Sequence, residues 1–262
     1  MTAPNPTRQF ESWSVIDKLF ASPNNVWVIH YSCESFYDRP NGRSPRVTSI
    51  AVRNLGSGQT TSFSIHKAAE RQGVAFASID SSYDELEKKM LAEYFDFLKG
   101  RQGGQFLHWN MRDATYGFQA IEHRFEVLKG KPYGLPDEAK VDLSRLMFNI
   151  YGDDYIGHPR LESIMSTNGM EVLDFLTGKQ EADAFDIKNF AALHQSTLRK
   201  SHVIANIARK VHDRQLKTNA SWWTMHGGRL RYVAPFVAKH WLVSTAGGAA
   251  TVMGILYKLL GH

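Results

Sequence analysis

Three segments that are typical of β-strands follow one another near the start of the chain, ahead of any long helical pattern. Val26 to Ser35 is an apolar run that leads into polar residues, as in a buried strand. Arg46 to Leu55 and Thr60 to His66 alternate apolar and polar residues, and Gly56-Ser57-Gly58 supplies a turn between them. The sequence therefore predicts a three-stranded meander, a sheet to which the later elements must add.

Helical patterns follow this meander, with one more strand among them. Residues 82–98 and 113–128 repeat apolar side chains at helical spacing, and Gln105 to Asn110, between them, is short and apolar enough for a fourth strand. After Pro136 we expect helices near residues 137–149, 158–167 and 196–216. Strands first and helices later predict an α/β fold, a mixed sheet flanked by helices, with some α+β character.

The composition indicates a folded domain in a reducing compartment. Hydrophobic residues make up 43% of the 262 residues, which is enough apolar material for a core. Cys33 is the only cysteine, which excludes an intramolecular disulfide and a cysteine-based zinc site and suits the cytosol. The N-terminal residues lack the long apolar stretch of a secretory signal. Because there is no P-loop, GxSxG or Rossmann fingerprint, nucleotide hydrolysis of those kinds is not expected.

Positive charge is concentrated in the C-terminal third. The formal net charge is +5 and the pI about 9.2, a modest excess for a soluble protein. Between Arg199 and Arg231, however, eight basic residues stand against one acidic residue, Asp213. This distribution favours an anionic partner for that part of the chain.

Three polar motifs stand next to the predicted elements. Ser32-Cys33-Glu34-Ser35 ends the first strand, the stretch from His108 to Asp113 follows the fourth, and His194 precedes Arg199 by five residues in the last helix. Between them, VDLSRLMF and HPRLESIMSTNGM have the pattern of a helix start and a short Leu-rich helix. In this order and spacing, residues 25–217 resemble the DEDDh family of 3′ to 5′ exonucleases. The resemblance implies a ribonuclease H-like sheet.

The resemblance also implies roles for individual residues. Glu34 and Asp113 match metal-binding carboxylates of the family, and His194 matches its general base. Ser32 stands in place of the first aspartate and Arg199 in place of the last. Two-metal catalysis needs several carboxylates around the ions, so we expect little exonuclease activity and no cofactor. In the alternative, an active exonuclease would use Mg²⁺ or Mn²⁺, with Asp183 or Asp186 as a replacement acid.

A guanidinium in place of a metal ligand could bind phosphate oxygens directly. We therefore expect a ligand site formed by Ser32, Asn110, Arg199 and Lys200 that binds a nucleic acid, an oligonucleotide or a nucleotide without cutting it. The plainer alternative is that Arg199 and Lys200 face solvent on a helix. A third hypothesis, an interaction or scaffold protein, needs no ligand in the cleft.

The two ends of the chain fall outside the exonuclease-like domain. We expect an N-terminal extension at residues 1–24, the domain at 25–218, a linker at 219–240 and an apolar helix at 241–262 that is a candidate membrane span. Trp241 to Tyr257 contains no charged residue in seventeen positions, close to the minimum for crossing a bilayer. Basic residues before it would keep the domain cytosolic, on the inner face of a membrane, and small residues four apart would favour a homo-oligomer. The alternative is a soluble helix packed on protein.

Overall fold

A computed structural model describes residues 4–34, 44–113 and 115–220. Five strands form one sheet in the order β3-β2-β1-β4-β5, where β1 pairs antiparallel with β2 and β2 with β3, while β1, β4 and β5 run parallel. The predicted meander and the mixed α/β sheet are confirmed. The strands are β1 (Val26–Cys33), β2 (Val47–Asn54), β3 (Thr60–Ser64), β4 (Gln105–His108) and β5 (Lys140–Asp142).

Helices pack on both faces of this sheet. In chain order the described helices are α1 (Pro6–Ala21), α2 (Ile65–Arg71), α3 (Tyr83–Lys99), α4 (Phe118–Val127), α5 (Leu143–Tyr151), α6 (Arg160–Thr167), α7 (Gly178–Asp186) and α8 (Phe190–His212).

The side chains of β1 alternate between two separate cores. Val26 and Val28 belong to a cluster that includes residues of α1, α5, α6 and α8. Ile29 and Tyr31 point the other way, into a cluster with residues of α3 and α4. Because successive strand residues face opposite sides, His30 and Ser32 lie on the α8 side of the sheet. This alternation places the polar end of β1 next to α8.

Several elements differ from the sequence-based expectation, α1 among them. Residues 140–142, expected within a helix, form β5, because Asp142 instead caps α5 by accepting from the backbone N–H groups of Ser144 and Arg145. Helix α4 begins at Phe118 rather than at residue 113, because Asp113 is hydrogen-bonded within its own turn. Helices α2 and α7 were not predicted.

The N-terminal extension is folded against the rest of the domain. Asn5 caps α1 by accepting from the backbone N–H groups of Thr7 and Arg8. Ile16 and Leu19 on this helix are buried in the same core as β1 and α8. The described domain therefore includes α1.

Most of the predicted linker and the whole apolar segment at 241–262 lie outside the described residues. Within the described part of the chain, no helix combines the length and the apolar character that a membrane span requires. The membrane hypothesis therefore stays a prediction.

One buried ion pair joins α3, α4 and the start of β2. Glu87 is fully buried, and Arg124 is 4% exposed and donates to it through Nε at 3.0 Å and Nη2 at 2.6 Å. The backbone N–H of Val47 donates to the other Glu87 oxygen at 2.6 Å. Burial raises the pKa of Glu87 to about 7, against the lowering effect of the bonds from Arg124.

Replacement of Arg124 by Met should leave the Glu87 carboxylate buried without its counterion. We expect the free energy of unfolding to fall by about 3 to 5 kcal/mol near pH 8. The loss should shrink toward about pH 5, because a carboxyl group with a raised folded-state pKa stabilises the protein as it takes up a proton. Urea unfolding at the two pH values measures both effects.

Arg71→Met is the matched control, because Arg71 pairs with Glu93 at 2.7 Å where both side chains are about half exposed. This surface pair should contribute under about 1 kcal/mol. Equal losses of stability in the two variants, or a loss in Arg124→Met that does not depend on pH, would contradict the conclusion that the buried Glu87 carboxylate requires Arg124 as its counterion.

Candidate functional site

The α8 side of the sheet changes from apolar to polar toward the carboxyl end of β1. Val26 and Val28 give way to His30 and Ser32, both of which are buried. On β2 the partner of Ser32 is Ser49, which is also fully buried. Small polar side chains thus line the sheet where the first half of α8 crosses it.

Thr197 of α8 links these strand residues through its hydroxyl group. The Thr197 Oγ1 atom lies 3.0 Å from Ser32 Oγ, 2.6 Å from Ser49 Oγ and 2.8 Å from the carbonyl oxygen of Leu193. A buried hydroxyl without a partner would cost about 1 to 3 kcal/mol, so the network satisfies groups that the packing has removed from water. The position of Ser32 is therefore determined from two sides.

Glu181 and Lys200 complete this network at the edge of a cavity. The Oε1 atom of Glu181 accepts from Ser32 Oγ at 3.0 Å and from Ser196 Oγ at 2.8 Å, and it lies 2.7 Å from the ammonium of Lys200. Lys200 is only 6% exposed, and its Nζ also lies 5.3 Å from the ring centre of Phe175. A buried lysine is unusual without such compensation.

The cavity beside this ion pair has a volume of about 590 Å³. One wall is the carboxyl end of β1, and another is the first turns of α7. Its chemically useful lining consists of His30, Ser32, Glu34, Tyr116, Glu162, Lys179, Glu181 and Lys200. Residues with carboxylate, ammonium, imidazole and phenol groups therefore line one open cavity.

His30 is the unsatisfied group of this cavity. The side chain is 6% exposed, and neither ring nitrogen has a hydrogen-bond partner among the described residues. Burial, and next the charge of Lys200, lower the pKa of His30 well below its usual value. The imidazole is therefore neutral near pH 7, and its two buried nitrogens, one donor and one acceptor, are left without a partner in the described chain.

Two stacked tyrosines form the wall opposite α8. The rings of Tyr31 and Tyr116 lie 4.7 Å apart with an interplanar angle of 14°. The Tyr31 hydroxyl oxygen accepts from the backbone N–H of Gly117 at 3.0 Å. A Cβ atom at Gly117 would lie 2.6 Å from the carbonyl oxygen of Met111, so this turn requires glycine. Burial raises the pKa of both tyrosines, which are uncharged donors at neutral pH.

Glu34 lies where the motif predicts, at the end of β1 and in the cavity wall. Its backbone N–H donates to the carbonyl oxygen of Arg46 at 2.8 Å, and its Oε2 accepts from the backbone N–H of Arg46 at 3.2 Å. These bonds join the ends of the segment between β1 and β2.

Asp113 lies elsewhere, in the turn before α4. Its side chain is fully exposed, and its Oδ1 accepts from the backbone N–H and the hydroxyl of Thr115, both at 2.8 Å. These hydrogen bonds lower the pKa of Asp113. Asn110 takes a left-handed backbone conformation with φ 55°, and its side chain accepts from Arg112 at 2.8 Å. Neither residue lines the described cavity.

His194 faces β3 rather than the cavity. Its Nε2 lies 2.9 Å from Ser62 Oγ, and its ring centre lies 5.1 Å from that of His66. Burial, followed by the field of His66, lowers the pKa of His194 to about 4. A general base works best with a pKa near the working pH, so this histidine is poorly tuned for that role.

Arg199 and Lys200 point to different sides of α8, since neighbouring helix residues are about 100° apart. Arg199 is exposed and lies 3.7 Å from Asp174, whereas Lys200 points inward to Glu181. Asp183 lies on the surface of α7, 3.1 Å from Lys179. Across the described ranges, no group of three or more His, Cys, Asp or Glu side chains is arranged to hold a metal ion.

Sequence reasoning missed Glu181 and His30 as members of the site. A signal for the buried position of Lys200 was present in α8. Its buried residues repeat at helical spacing, and the polar ones share the apolar face: His194, Ser196, Thr197, Lys200 and Ser201. No comparable signal marked Glu181, because its partners come from β1 and α8.

The pair of Glu181 and Lys200 should contribute measurable stability. We expect Lys200→Met and Glu181→Gln, singly and together, to give a coupling energy of about 1 to 3 kcal/mol in urea unfolding, less than a fully enclosed pair because the cavity borders it. The exposed pair of Lys179 and Asp183 is the control, with an expected coupling of at most about 0.5 kcal/mol. A coupling near zero for Glu181 and Lys200 would mean that water solvates both charges.

Comparisons of the chain with protein-family models, with curated proteins and with solved structures returned no match.

Proposed function

We propose that this protein binds a nucleotide or the terminal nucleotide of a nucleic acid in the cavity beside Lys200, and that it does so without metal-dependent cleavage. The proposal builds on the resemblance to DEDDh exonucleases. Ser32 lies in β1, Asp113 after β4 and His194 in α8, and this is the order of elements that the resemblance predicts for the family's motifs.

The observation that carries the proposal is the buried ammonium of Lys200. It pairs with the same Glu181 oxygen that accepts from Ser32, the residue in place of the family's first aspartate. A cation that belongs to the protein thus lies at the end of β1, next to the position from which the family binds an ion. An ammonium has three donors and suits phosphate oxygens, whereas it repels a divalent cation.

The remaining lining suits the rest of a nucleotide. The Glu34 carboxylate can accept from ribose hydroxyls or base edges, and the Tyr116 ring offers an aromatic surface. The volume of about 590 Å³ lies within the ~300 to 1,000 Å³ that small-molecule sites span. The volume of the cavity is therefore sufficient for a mononucleotide.

Titration with thymidine 5′-monophosphate in the absence of metal tests the proposal. Lys200→Met should weaken binding by at least about ten-fold, because a charge-assisted contact to phosphate contributes about 1.5 to 3 kcal/mol. His30→Phe keeps an aromatic ring but removes both nitrogens, and it should weaken binding less. Isothermal calorimetry gives the affinities.

Lys89→Met is the control for the binding experiment, because Lys89 pairs with Glu85 on the surface of α3 at 3.2 Å. It should bind as the wild type does. Wild-type binding that is unchanged in Lys200→Met would refute the assigned phosphate position, and no binding by the wild type would refute nucleotide binding in this cavity.

A separate prediction concerns the cleavage of nucleic acid. Incubation of 3′-labelled single-stranded DNA or RNA with Mg²⁺ or Mn²⁺ should leave the strands intact, because Asp113 is engaged in its own turn and Lys200 supplies a fixed positive charge. Gel electrophoresis checks the strand length. Shortening that Asp113→Ala abolishes would instead establish the alternative, an active exonuclease.

A further inference from the structure

The exposed side of α8 carries positive charge in its C-terminal half, from Arg199 to Lys210. The whole helix, Phe190–His212, contains no aspartate or glutamate. Its exposed and half-exposed polar residues recur three or four positions apart and so form one line on the surface. With Arg53 from β2 beside them, they define the basic stripe: Arg53, Arg199, His202, Asn206, Arg209 and Lys210.

These cations lack compensation by acidic side chains. In the described part of the chain, the only carboxylate within 4 Å of them is Asp174, at 3.7 Å from Arg199. Arg53 and Arg209 bond neutral oxygens instead, those of Thr60 Oγ1 at 3.1 Å and of the Leu55 carbonyl at 3.4 Å. Positive groups held together without counterions favour an anionic partner.

The titration of neighbouring groups agrees with this arrangement. Burial, followed by the charges of Arg53 and Arg199, lowers the pKa of His202. Burial, followed by the charge of Arg209, lowers the pKa of Arg53. Three guanidinium groups from two elements thus act on the same small area.

The stripe begins one residue before Lys200 on α8, about 100° around the helix from the side that faces the cavity. Arg199 directly precedes Lys200, whose ammonium lines the cavity, and Arg209 lies at the far end of the sheet beside Leu55. From Arg199 to Lys210 the helix rises by about 16 Å at ~1.5 Å per residue. A linear anion of several charges can therefore reach from the cavity along the helix.

We infer that the basic stripe binds the sugar-phosphate backbone of a single-stranded nucleic acid whose terminal nucleotide occupies the cavity. The inference deepens the proposed function and rests on it for the cavity end. Amide and imidazole groups among the cations provide further contacts to phosphate and sugar. The stripe itself includes none of the exposed large apolar residues of the described chain, which disfavours a lipid surface.

The test compares a fluorescein-labelled oligo-dT of about twenty nucleotides with thymidine 5′-monophosphate on the full chain. Arg209→Gln/Lys210→Gln should weaken oligo-dT binding by about ten-fold at low salt. It should also reduce the slope of log affinity against log salt by about 1.4, since each phosphate contact of a single strand contributes about 0.7. Binding of the mononucleotide should not change.

Lys88→Gln/Lys131→Gln removes the same charge from exposed positions of α3 and the loop after α4, on the other side of the sheet. This control should keep the wild-type affinity and salt slope. Equal effects of the two double variants on oligo-dT binding, or an oligo-dT affinity that neither double variant changes, would overturn the inference.

Other outcomes separate the inference from the proposed function. Mononucleotide binding without oligo-dT binding would overturn the role inferred for the stripe and would leave the proposed function of the cavity standing. Stripe-dependent oligo-dT binding with no effect of Lys200→Met would support the stripe and refute the cavity. Stripe-dependent binding to phosphatidylserine vesicles without oligo-dT binding would show that the anionic partner is a lipid surface, and would overturn the inference.

Discussion

The packing of α8 across three strands is the constraint on which the rest of the structure depends. In its second half the buried residues are apolar, among them Val203, Ile204, Ile207 and Val211, and each contributes about 1.5 to 3 kcal/mol of burial. In its first half several buried residues are polar and need partners, which Ser32, Ser49 and Glu181 supply. Favourable burial at one end of the helix thus holds polar groups in place at the other.

The same helix has two chemically different sides. Lys200 is directed into a cavity where its charge is matched by Glu181, while Arg199 one residue earlier belongs to a surface with little compensation. A buried charge with one partner favours a small, well-oriented ligand, whereas a line of exposed cations favours an extended one. Both preferences are consistent with a ligand made of repeating phosphate units that ends in the cavity.

Local sequence patterns predicted the meander, the helices α3 and α6, most of α8 and the polar end of β1, because each follows from periodicity within a short segment. They failed where a side-chain hydrogen bond, rather than apolar periodicity, decided the outcome. Asp142 caps α5 and leaves residues 140–142 free to pair with β4, and Asp113 closes a turn with Thr115 rather than facing the cavity. Glu181 belongs to the site because it contacts both Ser32 and Lys200, which are more than a hundred residues apart in the sequence.

Two hydrogen bonds join Glu34, which lies in the cavity wall, to Arg46, which directly precedes β2. Backbone N–H groups donate both hydrogen bonds, which extend the pairing of β1 with β2 as far as Glu34, the last residue before segment 35–43. Since a doubling of loop length costs only about 0.6 kcal/mol in closure entropy, substitutions and insertions in that segment need not disturb the sheet. A change in the length of segment 35–43, in nature or in a library, should therefore cost little stability while Glu34 keeps its place in the cavity wall.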